Sequence, residues 1–246
     1  MKLNILRLVR LWALAALAVL APVVAHAAPG VGDEIYGATV DKGKVEAEVI
    51  YGALGGGPAD GEDALKIELA YAPTSRVRVT TQMKFEREPG DKRTARELGF
   101  EAQYALGRVA GIDVALYGEY AIGLNGERDA AEGKLLLQKR SGTFDARLNL
   151  IAEKSLAAGE NVEFGYAASA DVAVAGEVRA GVAAFGELGT VHRLFPRAEH
   201  YAGPIVKGEI EGLGPEIELQ AGYLFPISKA RDDTKGQFRL TLEVEM

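Results

Sequence analysis

The sequence predicts an all-β protein, an antiparallel up-and-down barrel of about twelve strands. Alternating apolar and polar residues recur in short segments from Lys44 onward, and no segment there has a helical period. The connections between these segments alternate between short and long. The last segment, residues 236–246, keeps the alternation to the final residue. A chain end with this pattern is expected to pair with neighbouring strands, including the first strand of a closed barrel.

The opening residues have the pattern of a signal peptide. Lys2, Arg7 and Arg10 form a positive region, residues 11–24 form an apolar core, and residues 25–27 read Ala-His-Ala. The core is too short to cross a membrane as a mature helix, and small residues at both ends of that triplet suit a cleavage site. A retained membrane anchor is the alternative, and the length and the triplet favour cleavage. We therefore predict a signal peptide over residues 1–27 and a mature chain from residue 28.

Composition excludes several classes of function. Cleavage of the signal peptide would remove three basic residues and no acidic residue, so the formal net charge would change from −7 to −10. This acidic balance argues against a nucleic-acid partner, which would need a basic face. The chain contains 0 cysteines, so it has neither disulfides nor a thiolate metal site. No cofactor and no metal site is predicted. No apolar run after residue 28 is long enough for a spanning helix, so the mature chain can enter a membrane only as a barrel.

The elements follow in order along the chain. Residues 28–43 are mixed and without a period, which predicts a loose lead-in, and residues 44–246 form the barrel. The predicted strands lie near residues 45–51, 65–71, 77–86, 98–106, 112–122, 135–137, 144–150, 162–172, 178–188, 200–210, 217–225 and 236–246. Most are long enough to cross a bilayer at the tilt of a barrel strand.

The connections divide into two classes. Short turns are expected near residues 73–75, 107–111, 141–142, 173–176 and 212–215. Long polar loops are expected at 55–62, 87–96, 125–130, 155–161, 190–199 and 228–235. In the hairpin at Ser141-Gly142, a two-residue turn would pair Arg140 with Thr143 and Leu137 with Ala146. Short turns at one rim and long loops at the other are typical of barrels that span a membrane.

The two faces of the strands differ in charge. One face carries ionised residues well into the strand middles, including Lys84, Glu101, Glu119 and Arg147, whereas the other is apolar with many alanines. A barrel of about twelve strands is wide enough to hydrate or pair such charges. Alanines would fill the interior of a soluble barrel of this width poorly. We therefore predict a transmembrane barrel with its apolar face toward lipid, and a soluble periplasmic barrel is the less favoured alternative.

Over residues 44–246 the chain resembles the outer-membrane β-barrel proteins of Gram-negative bacteria. Gly236, Phe238, Leu240, Leu242 and Val244 match the terminal strand of that class, and Met246 departs from its usual terminal aromatic residue. The resemblance implies a location in the cell outer membrane, contact with its lipid, and recognition of residues 236–246 by the barrel-assembly machinery.

The inward residues suggest two opposed charged walls. An acidic patch is predicted near the short-turn rim, at Glu46, Glu48, Glu209, Glu211, Glu216, Glu218, Glu243 and Glu245. A basic wall is predicted opposite it, at Arg78, Lys84, Lys134, Arg140 and Arg147. The electric field between two such walls would select solutes by charge. The alternative is that these charges pair across strands and that their side chains fill a narrow lumen.

These patterns support several functions. We expect a narrow channel or transporter for small hydrophilic or aromatic solutes, with a cation-biased periplasmic mouth. The alternative is a non-conducting structural or interaction barrel that acts through its extracellular loops. No catalytic residues are assigned; a surface hydrolase would use His200 with Asp232 or Asp233, and no motif supports it.

Overall fold

A computed structural model describes residues 29–210 and 214–246. The predicted signal peptide and Glu211 lie outside these residues. In the part described, thirteen strands form one sheet. They are β1 (Val45–Gly55), β2 (Asp63–Tyr71), β3 (Val77–Arg87), β4 (Thr94–Val109), β5 (Ile112–Gly123), β6 (Ala130–Ser141), β7 (Phe144–Ser155), β8 (Glu163–Ala175), β9 (Val178–Thr190), β10 (Arg193–Leu194), β11 (Glu199–Ile210), β12 (Glu216–Ser228) and β13 (Gly236–Glu245).

The sheet closes into a barrel. β1 pairs antiparallel with β13, from Glu46 opposite Glu245 to Gly55 opposite Gly236. The order continues from β1 to β9 and through β11 and β12 to β13, with each strand antiparallel to its neighbour. The two-residue β10 pairs antiparallel with the last two residues of β9 and is not part of the closed wall. Twelve strands thus form the wall, which confirms the fold predicted from the alternation.

The two rims differ as predicted. Turns of two residues join β4 to β5, β6 to β7 and β8 to β9. The connections at the opposite rim run over six or seven residues after β1, β3, β5, β7 and β12. The last of these contains a short helix, α1 (Ala230–Asp233), which the sequence analysis did not predict. Both ends of the wall, Val45 and Glu245, lie at the short-turn rim.

One predicted register is wrong. Ser141 pairs with Phe144 and Leu137 pairs with Leu148, so the turn residues are Gly142 and Thr143. Gly142 has a φ of 57°. A type II′ hairpin turn places a glycine with positive φ at its first central position, and this shifts the register by two residues. An even shift leaves every side chain on its predicted face.

The predicted orientation of the faces is confirmed. Large apolar side chains point outward around the wall, and among them Leu69 is 54% and Phe100 is 51% exposed. The alternate residues are buried in the interior, where Glu68 is 2% and Arg239 is 3% exposed. Only the hydrocarbon of a lipid bilayer suits such an outward belt, because an apolar surface of this extent is unfavourable in water. No helix among the described residues has the length and apolar character to span a bilayer.

The N-terminal segment occupies the interior. Val31, Tyr36, Ala38 and Val40 are all buried. The prediction of a loose lead-in over residues 28–43 is therefore wrong, because its described part packs against the inside of the wall. We call residues 29–43 the plug.

Candidate functional site

The plug runs through the barrel from one rim to the other. Near the long-loop rim, Val31 packs in an apolar cluster with Leu54 of β1 and Ala230 of α1. Near the short-turn rim, Val40 packs with Ala72 and Ala105. Between them, Tyr36 and Ala38 pack with three wall residues, Ala115, Tyr117 and Leu136. The apolar residues of the plug therefore form three small hydrophobic clusters with the wall, in an interior that is otherwise largely polar.

Side chains of the wall bind the plug backbone. Asn149 accepts a hydrogen bond from the Tyr36 N–H at 2.8 Å and donates one to the Tyr36 carbonyl at 3.0 Å. Gln138 accepts from the Ala38 N–H at 3.0 Å, and Gln103 donates to the Gly37 carbonyl at 3.0 Å. Buried backbone groups need such partners, and the plug has no neighbouring strand to supply them. The wall amides take the place of a strand.

Arginines and a further amide hold the rest of the plug. Arg147 donates to the Ile35 carbonyl at 3.3 Å, and Gln237 donates to the Pro29 carbonyl at 3.2 Å. Arg239 donates to the Asp33 carbonyl, and Arg140 donates to the Thr39 hydroxyl at 2.6 Å. Two members of the predicted basic wall, Arg140 and Arg147, thus bind the plug.

Tyr36 lies at the centre of a polar and aromatic cluster. Its hydroxyl donates to Glu101 at 3.3 Å and accepts from the Lys66 ammonium at 3.4 Å. Its ring centroid lies 4.7 Å from that of Tyr117. The Lys134 ammonium lies 4.6 Å from both ring centroids, within reach of a cation–π contact. These contacts attach Tyr36, in the middle of the plug, to the wall.

A cavity of about 320 Å³ lies beside the plug on the side of the short-turn rim. It reaches that rim, because Asp41, Lys44 and Glu245 line it. Seven residues of the predicted acidic patch line this one cavity: Glu46, Glu48, Glu209, Glu216, Glu218, Glu243 and Glu245. The plug adds Glu34. We call this space the lower cavity.

The predicted basic wall divides between two places. Arg78, Arg140 and Arg147 line the lower cavity. Lys207 and Arg239 also line it, although neither belongs to the predicted basic wall. Lys84 and Lys134 instead line a second cavity of about 80 Å³. We call the second space the upper cavity. The structure therefore does not gather the five predicted bases on one surface.

Many lumen charges are paired. Arg78 lies 2.7 Å from Glu46 across the intervening strand, and Lys207 lies 3.2 Å from Asp171. In the upper cavity Lys84 pairs with Glu86 at 3.0 Å and Lys134 with Glu132 at 2.9 Å. Ion pairs within and between strands therefore neutralise part of the interior charge.

The acidic patch is paired only in part. Glu245 is bound by Lys44, but Glu48, Glu218 and Glu243 form no ion pair with any residue that the structure describes. Glu48 faces Glu243 across β1 and β13, and Glu243 faces Glu218 across β13 and β12. Like charges on adjacent strands repel, and no described base within ion-pair distance offsets these three carboxylates.

The residues considered for hydrolysis, His200 and Asp232, are bound by different partners. The Tyr166 hydroxyl lies 3.3 Å from His200 Nδ1. Asp232 is bound instead by Arg197 at 2.9 Å. A general base needs a hydrogen-bonded group that orients it, and one of the two carboxylates considered for that role, Asp232, is bound by an arginine instead.

The site predicted from the sequence did not include the plug. Tyr36, Ala38 and Val40 alternate with Gly37 and Thr39 over five residues. This short alternation is the signal for an extended segment packed on one side. It is too short to distinguish a plug from a further strand.

Comparisons with known proteins agree with the fold. No family model matches the chain, and no curated protein matches it in sequence. Among solved structures, an outer-membrane channel from Pseudomonas putida F1 aligns with a TM-score of 0.58 at 12% identity, covering 89% of this chain and 99% of that one. The KdgM porin in complex with disordered oligogalacturonate aligns at 0.53 and 8% identity, over 82% and 97%. The NanC porin aligns at 0.53 and 6% identity, over 81% and 98%. At such identities the likeness shows the shared fold.

Proposed function

We propose that this outer-membrane β-barrel is a narrow channel for small hydrophilic or aromatic solutes, restricted by its plug and biased toward cations at its periplasmic mouth. In this class of barrel the short turns face the periplasm. The lower cavity is then the periplasmic entrance. The observation that carries the proposal is the excess of carboxylates in that entrance.

The charge balance supports a cation bias. Nine acidic residues and six basic residues line the lower cavity, which gives a formal charge of −3. A confined, low-dielectric entrance with one excess sign of charge concentrates counter-ions. Rings of carboxylates favour cations in the same way in other channels. Anions would meet a barrier at the mouth.

The dimensions support a small solute. A cavity of about 320 Å³ lies at the lower end of the range that holds small molecules. Its lining is mostly ionised and amide side chains, which suits hydrophilic solutes. Three of the solved structures that resemble the chain are described as a channel and two porins, which is consistent with transport.

Planar-bilayer recording of the refolded mature chain tests the proposal. We expect a small, cation-selective conductance from the wild type and a several-fold larger one after deletion of residues 29–39. Tyr36→Ala, which keeps the chain length, should give an intermediate increase. An anion preference of the wild type, or no conductance from either variant once circular dichroism has shown a folded barrel, would reject the channel.

A second function is favoured by one observation. The loop after β9 exposes apolar side chains at the long-loop rim, where Phe195 is 76% and Leu194 is 56% exposed. An interaction barrel that works through its outer loops would use such a surface. It would be supported if replacement of residues 191–195 by serines abolished a cellular phenotype while conductance stayed at the wild-type value.

A further inference from the structure

Three carboxylates meet where the plug contacts the wall. Glu34 belongs to the plug, Glu48 to β1 and Glu68 to β2. One carboxylate oxygen from each lies within 4.8 Å of the other two. The three come from separate segments, so the fold alone brings them together. We call them the Glu34 triad.

The triad contains carboxylate oxygens that lack partners. Glu48 is 4% exposed, and its Oε2 has no hydrogen-bond partner among the described residues. The Oε2 atom of Glu34 is also buried without such a partner. A buried ionised carboxylate is costly unless it is paired, hydrogen-bonded or bound to a metal ion.

The nearby bases balance only part of this charge. The Lys66 ammonium lies 2.5 Å from Glu68 Oε1 and also contacts the Tyr36 hydroxyl. Other bases close by are engaged elsewhere: the Arg78 guanidinium pairs with Glu46 at 2.7 Å, and the Lys134 ammonium pairs with Glu132 at 2.9 Å. The buried Arg239 guanidinium donates to the Asp33 carbonyl. Lys66 is thus the base that binds the triad directly, and it reaches only one of the three carboxylates.

We propose that the Glu34 triad binds a divalent cation of the calcium class, which links the plug to β1 and β2. Calcium binds oxygen ligands at about 2.3–2.6 Å, so two of its ligands lie at most about 5 Å apart. The oxygens of the triad satisfy this limit. A site of oxygen ligands alone suits Ca²⁺, Mg²⁺ or Mn²⁺ rather than softer metals. The bound cation would oppose withdrawal of the plug from the barrel. The proposed site does not depend on whether the barrel conducts ions.

Isothermal titration of the metal-free, refolded mature chain with CaCl₂ tests the site directly. We expect one saturable event, weakened at least about tenfold by Glu48→Gln because the site loses a charged ligand. Glu34→Gln should have a similar effect, and it tests the plug side of the site if the wall variant fails to fold. Calcium should also raise the apparent Tm of the wild type and leave that of Glu48→Gln unchanged.

Glu218→Gln is the matched control, since it removes one carboxylate of the lower cavity outside the triad. It should bind calcium as the wild type does. The site is rejected if the wild type shows no saturable binding at millimolar calcium, or if Glu34→Gln and Glu48→Gln bind as tightly as the wild type. Equal weakening in Glu218→Gln would also overturn it, because it would show general attraction by the acidic cavity. The conductance experiment measures a different property, so failure of one proposal leaves the other standing.

Discussion

Tyr36 and Asn149, 113 positions apart in the chain, exchange two hydrogen bonds in the centre of the barrel. The Asn149 side chain presents one acceptor and one donor to the plug, as the backbone of a neighbouring strand would. Asn149 is fully buried, so water cannot replace either bond. This pair is the clearest point at which one wall residue determines the position of the plug.

Replacement of Asn149 by alanine should loosen the plug. It leaves the N–H and the carbonyl of Tyr36 buried without partners, at about 1–3 kcal/mol for each group. Hydrogen exchange of residues 34–38 should accelerate, and conductance should rise. Asn161→Ala, in an exposed loop, should change neither. Unchanged exchange in Asn149→Ala would show that other contacts suffice to hold the plug.

Neutralisation of the acidic patch should reduce cation selectivity. Glu218→Gln with Glu243→Gln removes two carboxylates that form no ion pair with any described residue and would change the formal charge of the lower cavity from −3 to −1. The reversal potential in a salt gradient should shift toward that of a non-selective pore. Glu160→Gln, on an exposed long loop, should leave it unchanged. A double variant with wild-type selectivity would place the selective region elsewhere.

The last residue should influence assembly. Met246 exchanges backbone hydrogen bonds with Val45 at 2.9 and 3.1 Å, so it takes part in barrel closure, and its side chain is exposed. We propose that the barrel-assembly machinery recognises residues 236–246, and Met246→Phe restores the terminal aromatic residue usual in the class that the chain resembles. It should raise the assembled fraction in a reconstituted assembly assay. Met246→Asp should lower it; equal yields from both variants would argue against recognition of this residue.

One outer loop should lose stability in acid. The Tyr120 hydroxyl and the Gly123 N–H donate to Asp129 at 2.7 and 3.0 Å and lower the pKa of its carboxyl group. A carboxyl group whose pKa is lower in the folded state stabilises that state above its ordinary pKa of 3.8, and this contribution is lost as the pH falls through the lowered value. Protease cleavage within residues 124–129 should therefore increase at low pH. Asp129→Asn should show faster cleavage at neutral pH and a weaker dependence on pH.

The sequence by itself determined the wall. Each strand must bury one face and present the other to lipid. The alternation of Ile67 and Leu69 with Lys66 and Glu68 therefore predicts a strand, the side of the sheet on which each residue lies, and a location in a membrane. The period is local and repeats in every strand. The same local pattern predicted eight acidic residues at one rim, and seven of them line one cavity in the structure.

Only the tertiary structure decided what fills the lumen. The plug is held by side chains such as Asn149 and Gln138 that bind its backbone from positions at least 100 residues away. Bonds from a side chain to a distant backbone leave no period in the sequence, because any residue of the plug supplies the same N–H and carbonyl groups. The pairing of individual charges was undetermined for a related reason: alternation gives the face of a residue, whereas an ion pair depends on its height and on its neighbours across strands.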